Sequence, residues 1–109
     1  MRSFSHSSAA RPNRLLFALI LGASLTACGG ESSETLLQKA QQSLDAGDRK
    51  AAIIQLKSAI QEDDKNAEAR FRLGKLQLEM GDFASAEKEL KRARDAGYDA
   101  DTVNPLLAK

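Results

Sequence analysis

The sequence predicts an all-α chain: an α-solenoid of antiparallel helix pairs, with two pairs and the start of a third. Three observations predict it. Residues 66–97 read as two short amphipathic helices joined at Gly81-Asp82. Shifted back by 34 positions, that stretch overlays a weaker copy of itself without a gap. Gly81-Asp82 falls on Gly47-Asp48, Ala86 on Ala52, Leu90 on Leu56, Ala93 on Ala59 and Gly74 on Ala40. Shifted forward by the same amount, Leu73-Gly74-Lys75 falls on Leu107-Ala108-Lys109. A fixed period of this size marks an array whose units bury their apolar faces against their neighbours.

The elements follow in chain order. Residues 1–14 are polar and basic, and residues 15–27 are an uncharged apolar run. That run is shorter than the ~20 residues a spanning helix needs. A basic start, a short apolar middle and small residues at the end describe a secretory signal peptide over 1–27. Its close, Leu25-Thr26-Ala27-Cys28, resembles a bacterial lipobox: an aliphatic residue, two small ones, then Cys. The resemblance implies signal-peptidase recognition of Leu25, Thr26 and Ala27, cleavage before Cys28, and acylation of Cys28. Several acyl chains anchor a protein firmly where one chain binds only marginally. Residues 28–32 then form a lipidated tether. Gly29 stands where an Asp would favour retention at the inner membrane. The expected location is therefore a membrane surface facing the periplasm, the outer membrane ahead of the inner.

Residues 33–66 are the first predicted repeat. Leu36, Ala40 and Leu44 recur at helical spacing, with Leu37 beside them. Ser32 or Ser33 caps this helix, and Gly47 supplies the left-handed residue that ends it. Asp48 caps the next helix, whose apolar face is Ala52, Ile53, Leu56, Ala59 and Ile60. The acids around Asp63-Asp64 lack the spacing of a metal-binding loop and read as solvated.

Residues 67–100 are the second repeat. Asn66 caps its first helix, with Phe71, Gly74 and Leu78 on one stripe and Leu73, Leu76 and Met80 on another. A helix apolar on two sides touches neighbours on both. Gly74 in mid-helix costs about 1 kcal/mol against Ala, which calls for a helix packed on its bare backbone. Gly81-Asp82 repeats the stop and cap. Phe83, Ala86, Leu90 and Ala93 are expected to face the partner helix. Glu87, Lys88, Glu89, Lys91, Arg92 and Arg94 are expected on the wet side, the cations suiting a helix C-terminus. Residues 101–109 are the start of a third unit, with Asp101 as cap and Pro105 expected in the first turn. Their apolar face has no continuation, and the expectation is the N-terminal part of a longer protein or a truncated gene product.

Inventory excludes several functions. The single Cys rules out an internal disulfide and a Cys-based zinc site. The single histidine, His6, lies in the targeting segment, so no His triad or His-rich metal site is expected. Formal net charge is +1. Without residues 1–27 there remain 13 basic and 15 acidic side chains, so nothing points to nucleic acid. Aromatics are 5% of residues and Trp is absent, which argues against a stacking platform. Carboxylate pairs such as Asp63-Asp64 lie on a loop without a base or an activated nucleophile, so no enzyme and no cofactor is expected.

Helix–turn–helix units of this length, with Leu73-Gly74, the Gly81-Asp82-Phe83 turn, Ala86, Leu90 and Ala93, resemble the tetratricopeptide repeat (TPR). The first unit departs from the pattern: Lys39 replaces its Leu and Arg49 its aromatic. Arg70 and Leu36 stand where Trp is common, and Asp64 and Tyr98 replace the closing Pro. The packing positions carried over are Ala40, Gly47, Ala52, Leu56, Ala59, Leu73, Gly74, Gly81, Ala86, Leu90 and Ala93. By the same resemblance, concave-face binding positions are Leu37, Gln41, Leu44 and Asp45 in the first unit. In the second they are Glu68, Phe71, Lys75, Leu78 and Glu79. The implied partner is a protein or peptide. For Phe71 and Leu78 the alternative is burial by neighbouring repeats.

A longer phrase carries a closer resemblance. The lipobox is followed by S-x-E-x-L-L-x-x-A, A-A-I-I-Q-L-K-x-A-I-Q, N-A-E-A-R-F-x-L-G and G-D-x-x-x-A-E-K-E-L-x-R-A, then a Gly-Tyr-Asp break before P-L-L-A. This is similar to the PrsT family of TPR-repeat lipoproteins that accompany the PEP-CTERM system. That resemblance implies a non-catalytic scaffold in exosortase-linked exopolysaccharide production. A TPR lipoprotein of pilus or outer-membrane assembly is the alternative, and a non-catalytic piece of a larger enzyme is a distant one.

Overall fold

The computed structural model describes residues 30–108. Helices α1 (Ser33–Asp45), α2 (Arg49–Glu62), α3 (Ala67–Glu79), α4 (Phe83–Asp95) and α5 (Ala100–Leu107) follow in order. There is no strand among the described residues. Leu25, Thr26, Ala27 and Cys28, the whole of segment 1–27, and Lys109 lie outside the described residues.

Each helix starts on a side-chain cap. Ser32, Asp48, Asn66, Asp82 and Asp99 accept from the backbone N–H three residues on. Each satisfies one of the free donors at a helix start. The α1–α2 and α3–α4 turns are built alike. Gly47 and Gly81 have φ of 78° and 82°, a region closed to most side chains. That conformation lets the next N–H reach back across the helix end: Asp48 to Ser43 O at 2.8 Å, Asp82 to Gln77 O at 2.9 Å. The same two aspartates then cap the following helix, so one dipeptide both stops and restarts the chain.

Small residues let the helices close. Ala40, Ala52, Leu56, Leu73 and Leu76 form one core cluster, with Leu37, Leu44, Ile53 and Ile60 packed on it. Ala59, Ala69, Ala86, Leu90, Ala93 and Val103 are also fully buried. Helix α3 packs on both α2 and α4, and α5 packs on α4. Gly74 is buried, and a side chain there would collide with Leu90. Polar links reinforce the pairs. Ser33 Oγ donates to Ala59 O at 3.0 Å and accepts from Asn66 Nδ2 at 2.6 Å, tying α1, α2 and α3 together. Ser43 Oγ donates to Gln55 Oε1 at 2.8 Å across α1 and α2.

Four expectations are corrected. Phe83 is 68% exposed: it is the first residue of α4 and lies beyond the helix it was expected to cover. Met80 is exposed for the same reason at the end of α3. Glu89 is not on the wet side. Its carboxylate is paired with Arg70 at 2.9 Å, and the two side chains are 13% and 10% exposed. Arg70 Nε also donates to Asp64 O at 2.8 Å, so the guanidinium fills the place of a bulky apolar residue and finds its partners there. Finally, α5 begins two residues early, because Asp99 and not Asp101 is its cap. Asp99 accepts from both the N–H and the hydroxyl of Thr102. Pro105 consequently falls in the second turn. The Asp101 carbonyl, deprived of a helical donor, belongs to an exposed residue that water can serve.

Candidate functional site

The odd-numbered helices α1, α3 and α5 share one face, and two clefts lie along it. The first, of about 320 Å³, is lined by Gln41 and Leu44 of α1 and by Glu68, Phe71, Arg72, Lys75, Leu76 and Glu79 of α3. Spacings of three and four on α3 put its side chains in one row, which is why a single helix supplies most of the wall.

A polar relay crosses this cleft. Glu68 pairs with Arg72 one turn on. Arg72 Nη1 donates to Gln41 Oε1 at 3.4 Å, and Gln41 Nε2 donates to Asp45 Oδ1 at 2.9 Å. An exposed pair such as Glu68–Arg72 contributes about 0–1 kcal/mol, so its effect is to orient rather than to stabilise. Lys75 and Glu79 have no ion-pair partner among the described residues, which leaves one free charge of each sign on the wall.

Phe71 is held by an aromatic neighbour. Its ring lies on that of Tyr98, with centroids 4.1 Å apart and planes 11° from parallel. Burial first, then the nearby Glu68 carboxylate, push the Tyr98 hydroxyl above its ordinary value. The chain leaving α4 thus returns to brace α3 from behind the cleft.

The second cleft, of about 280 Å³, lies one unit further along and is lined by Lys75, Leu78, Glu79, Phe83 and Leu106. It joins the first through Lys75 and Glu79, which line both. The shared face is therefore polar and ion-paired at the α1–α3 step and apolar at the α3–α5 step.

Of the nine residues expected on this face, Gln41, Leu44, Glu68, Phe71, Lys75 and Glu79 meet in the first cleft, and Leu78 lines the second. Leu37 lines neither: it packs on the core cluster. Asp45 also lies off both walls and acts through Gln41. Sequence reasoning missed Arg72, Leu76, Phe83 and Leu106 as lining residues and Tyr98 as the brace. The signal for Arg72 was present, since Glu68 stands four residues before it. The signal for Tyr98 was not, because stacking across 27 residues has no periodic signature. Lipobox residues Leu25, Thr26, Ala27 and Cys28 have no described geometry to add.

Among the described residues no helix is long and apolar enough to cross a membrane, and no group of His, Cys, Asp and Glu could hold a metal ion. Residues 43–109, more than half of the chain, match a family model described as tetratricopeptide repeat. No curated protein matches the chain.

Proposed function

The chain belongs to the tetratricopeptide repeat family, and from that premise we propose that the α1–α3–α5 face is a docking groove for a partner protein. The family is one of protein-interaction scaffolds, typically without catalysis. The observation that carries the reading is the pair of adjoining clefts, polar at one step and apolar at the next. A short amphipathic segment fits that order. Its polar or charged part meets Gln41, Arg72, Lys75 and Glu79, and its apolar side chains meet Leu78, Phe83 and Leu106. Phe71, pinned by Tyr98, is a rigid anchor in the first cleft, and rigid aromatics carry large shares of interface energy.

The scaffold is held at a membrane through acylated Cys28, facing the periplasm, the outer membrane ahead of the inner. The support for this is the lipobox at the end of an export signal. The pathway is exopolysaccharide biosynthesis or export linked to the PEP-CTERM system. The support is the extended phrase from Cys28 to Lys109, longer than the repeat pattern requires.

A photo-crosslinking amino acid at position 75 or 78, in the intact chain in its native membrane, tests the groove. It should give a discrete protein adduct that the same group at exposed Lys50 on α2 does not give. Equal adducts from both positions sink the groove. Cys28→Ser should abolish acyl labelling and leave an unprocessed precursor; unchanged processing and membrane fractionation sink the anchor. Deletion of the gene should lower exopolysaccharide output and spare pilus assembly, and the reverse pattern sinks the pathway.

A further inference from the structure

A third cleft lies away from the docking groove, between the even-numbered helices α2 and α4 and floored by α3. Its volume is about 370 Å³, within the range of ligand-sized clefts, roughly 300–1,000 Å³. Its rim carries Lys57 from α2 and Lys88 and Arg92 from α4. None of the three has an ion-pair partner among the described residues. The one carboxylate on the wall, Glu89, is already committed to Arg70. The rim is thus a net cation. Lys88 and Arg92 also stand one turn apart on the same helix, a spacing at which like charges repel.

The floor adds a second observation. Gln77 lines this cleft at 8% exposure, and its Oε1 is buried with no hydrogen-bond donor among the described residues. Buried polar atoms are nearly always paired, and an orphan calls for a reason. A half-turn of the carboxamide exchanges its oxygen and nitrogen positions, so the acceptor is adjustable in place. The site as built asks for negative charge at the rim and an N–H donor at the floor.

We propose that this α2–α4 cleft is a second binding site, taking an acidic peptide segment of a partner. Carboxylates answer Lys57, Lys88 and Arg92, and a backbone N–H answers Gln77 Oε1. An inorganic anion that carries no proton answers the rim and leaves the floor unpaired. The site is independent of the docking groove, with which it shares no lining residue.

The test uses the full chain and a fluorescein-labelled peptide of alternating Glu and Gly, read by anisotropy at low salt, with circular dichroism as the folding control. Wild type should bind, with affinity falling as salt rises. The variant carrying Lys57→Gln, Lys88→Gln and Arg92→Gln should lose at least tenfold. Gln77→Leu removes the orphan without removing charge, keeps the fold, and should lose several-fold. Phe71→Ala, in the docking groove, should bind the peptide as wild type does. No binding by wild type overturns the site. A loss in the charge variant with none in Gln77→Leu also overturns it, since that result describes a diffuse cationic surface. Displacement of the peptide by inorganic phosphate at equal concentration, with the same dependence on both variants, overturns the peptide as the ligand.

Discussion

Leu90 occupies the space that a β-carbon at residue 74 would need. A β-carbon on Gly74 would lie 2.8 Å from Leu90 Cγ and 3.2 Å from its backbone nitrogen. The clash involves a fully buried side chain and its main chain, so a rotamer change cannot relieve it. Gly74→Ala therefore sets two effects against each other. Helix propensity favours Ala by about 1 kcal/mol. Overpacking a filled core costs about 1–3 kcal/mol. The repeat itself shows the upper bound is not reached, because Ala40 sits in the matching place and is buried without disrupting its pair. A net loss of about 1 kcal/mol is expected in urea denaturation. Gly74→Ala combined with Leu90→Ala should cost less than the sum of the two single changes, since neighbours in contact are not additive. A more stable Gly74→Ala protein, or strict additivity, would contradict this packing.

Arg70 and Glu89 form the most buried ion pair among the described residues. Removing one partner of such a pair leaves a charge with little water to solvate it, at a cost near 3 kcal/mol. Glu89→Gln is expected to show this loss, because Arg70 stays charged and buried. Replacing both, with Trp at position 70 and Leu at 89, should recover most of the loss, since a packed apolar pair can match a buried ionic one. Thermal melts of Glu89→Gln and the double variant decide it. If the double variant is no better than Glu89→Gln, the pair has a value beyond filling and neutralising that space.

The contrast between these two contacts shows what was legible in the sequence. Gly74 was readable because a mid-helix glycine breaks a local rule, and the 34-residue offset set it against Ala40. Caps and turns were readable for the same reason: Gly47-Asp48 and Gly81-Asp82 act over a few residues. The Arg70–Glu89 pair was not. On a helical wheel Glu89 belongs among charges, and only the approach of α3 brings a guanidinium to it. Phe83 failed in the opposite way. Its period places it with Ala86 and Leu90, but α4 begins there, and the face it continues has nothing left to cover. Pro105 and Asp101 shifted because Asp99 had Thr102 within reach, a competition between two aspartates that spacing alone does not rank. In the candidate site, the row on α3 follows from that helix's own spacing, while Tyr98 depended on the path of the chain after α4.

Acid should loosen two surface contacts, those that Glu87 and Asp99 make with their partners. The hydrogen bond to Lys91, then its charge, holds Glu87 below its ordinary 4.5. The Thr102 hydroxyl does the same first for Asp99, below its ordinary 3.8. Both folded values are lowered, so the stabilisation is present above the ordinary values and disappears as pH falls through the folded ones. Asp99 caps α5, and its protonation should fray that helix first. Helix fraying followed by amide exchange at Val103 against pH should show loss in wild type only in acid, as pH falls through the lowered value of Asp99, and Asp99→Ala should show it already at neutral pH. Equal protection of Val103 in both proteins at neutral pH would remove Asp99 as the cap.

Alkali should act on the other end of the scale, through Phe71 and Tyr98. The hydroxyl of Tyr98 is pushed above its ordinary 10.0, first by burial and next by the charge of Glu68. A value raised on folding means that the neutral phenol is favoured in the folded chain. Its contribution is complete below 10.0 and is lost as pH rises through the folded value. Tyr98 is the only tyrosine in the sequence and there is no tryptophan, so an ultraviolet titration reads this one ring. The folded protein should titrate above 10.0 and the denatured protein at that value. Glu68→Gln should bring the folded value down, because it removes the facing charge and leaves the burial. Phe71→Ala should lower it as well by opening the ring to water, and should cost about 0.5–1.5 kcal/mol beyond lost area. A folded inflection at or below that of the denatured chain would mean that Tyr98 is not braced against α3. The first cleft would then lack the rigid wall on which the proposed docking role depends.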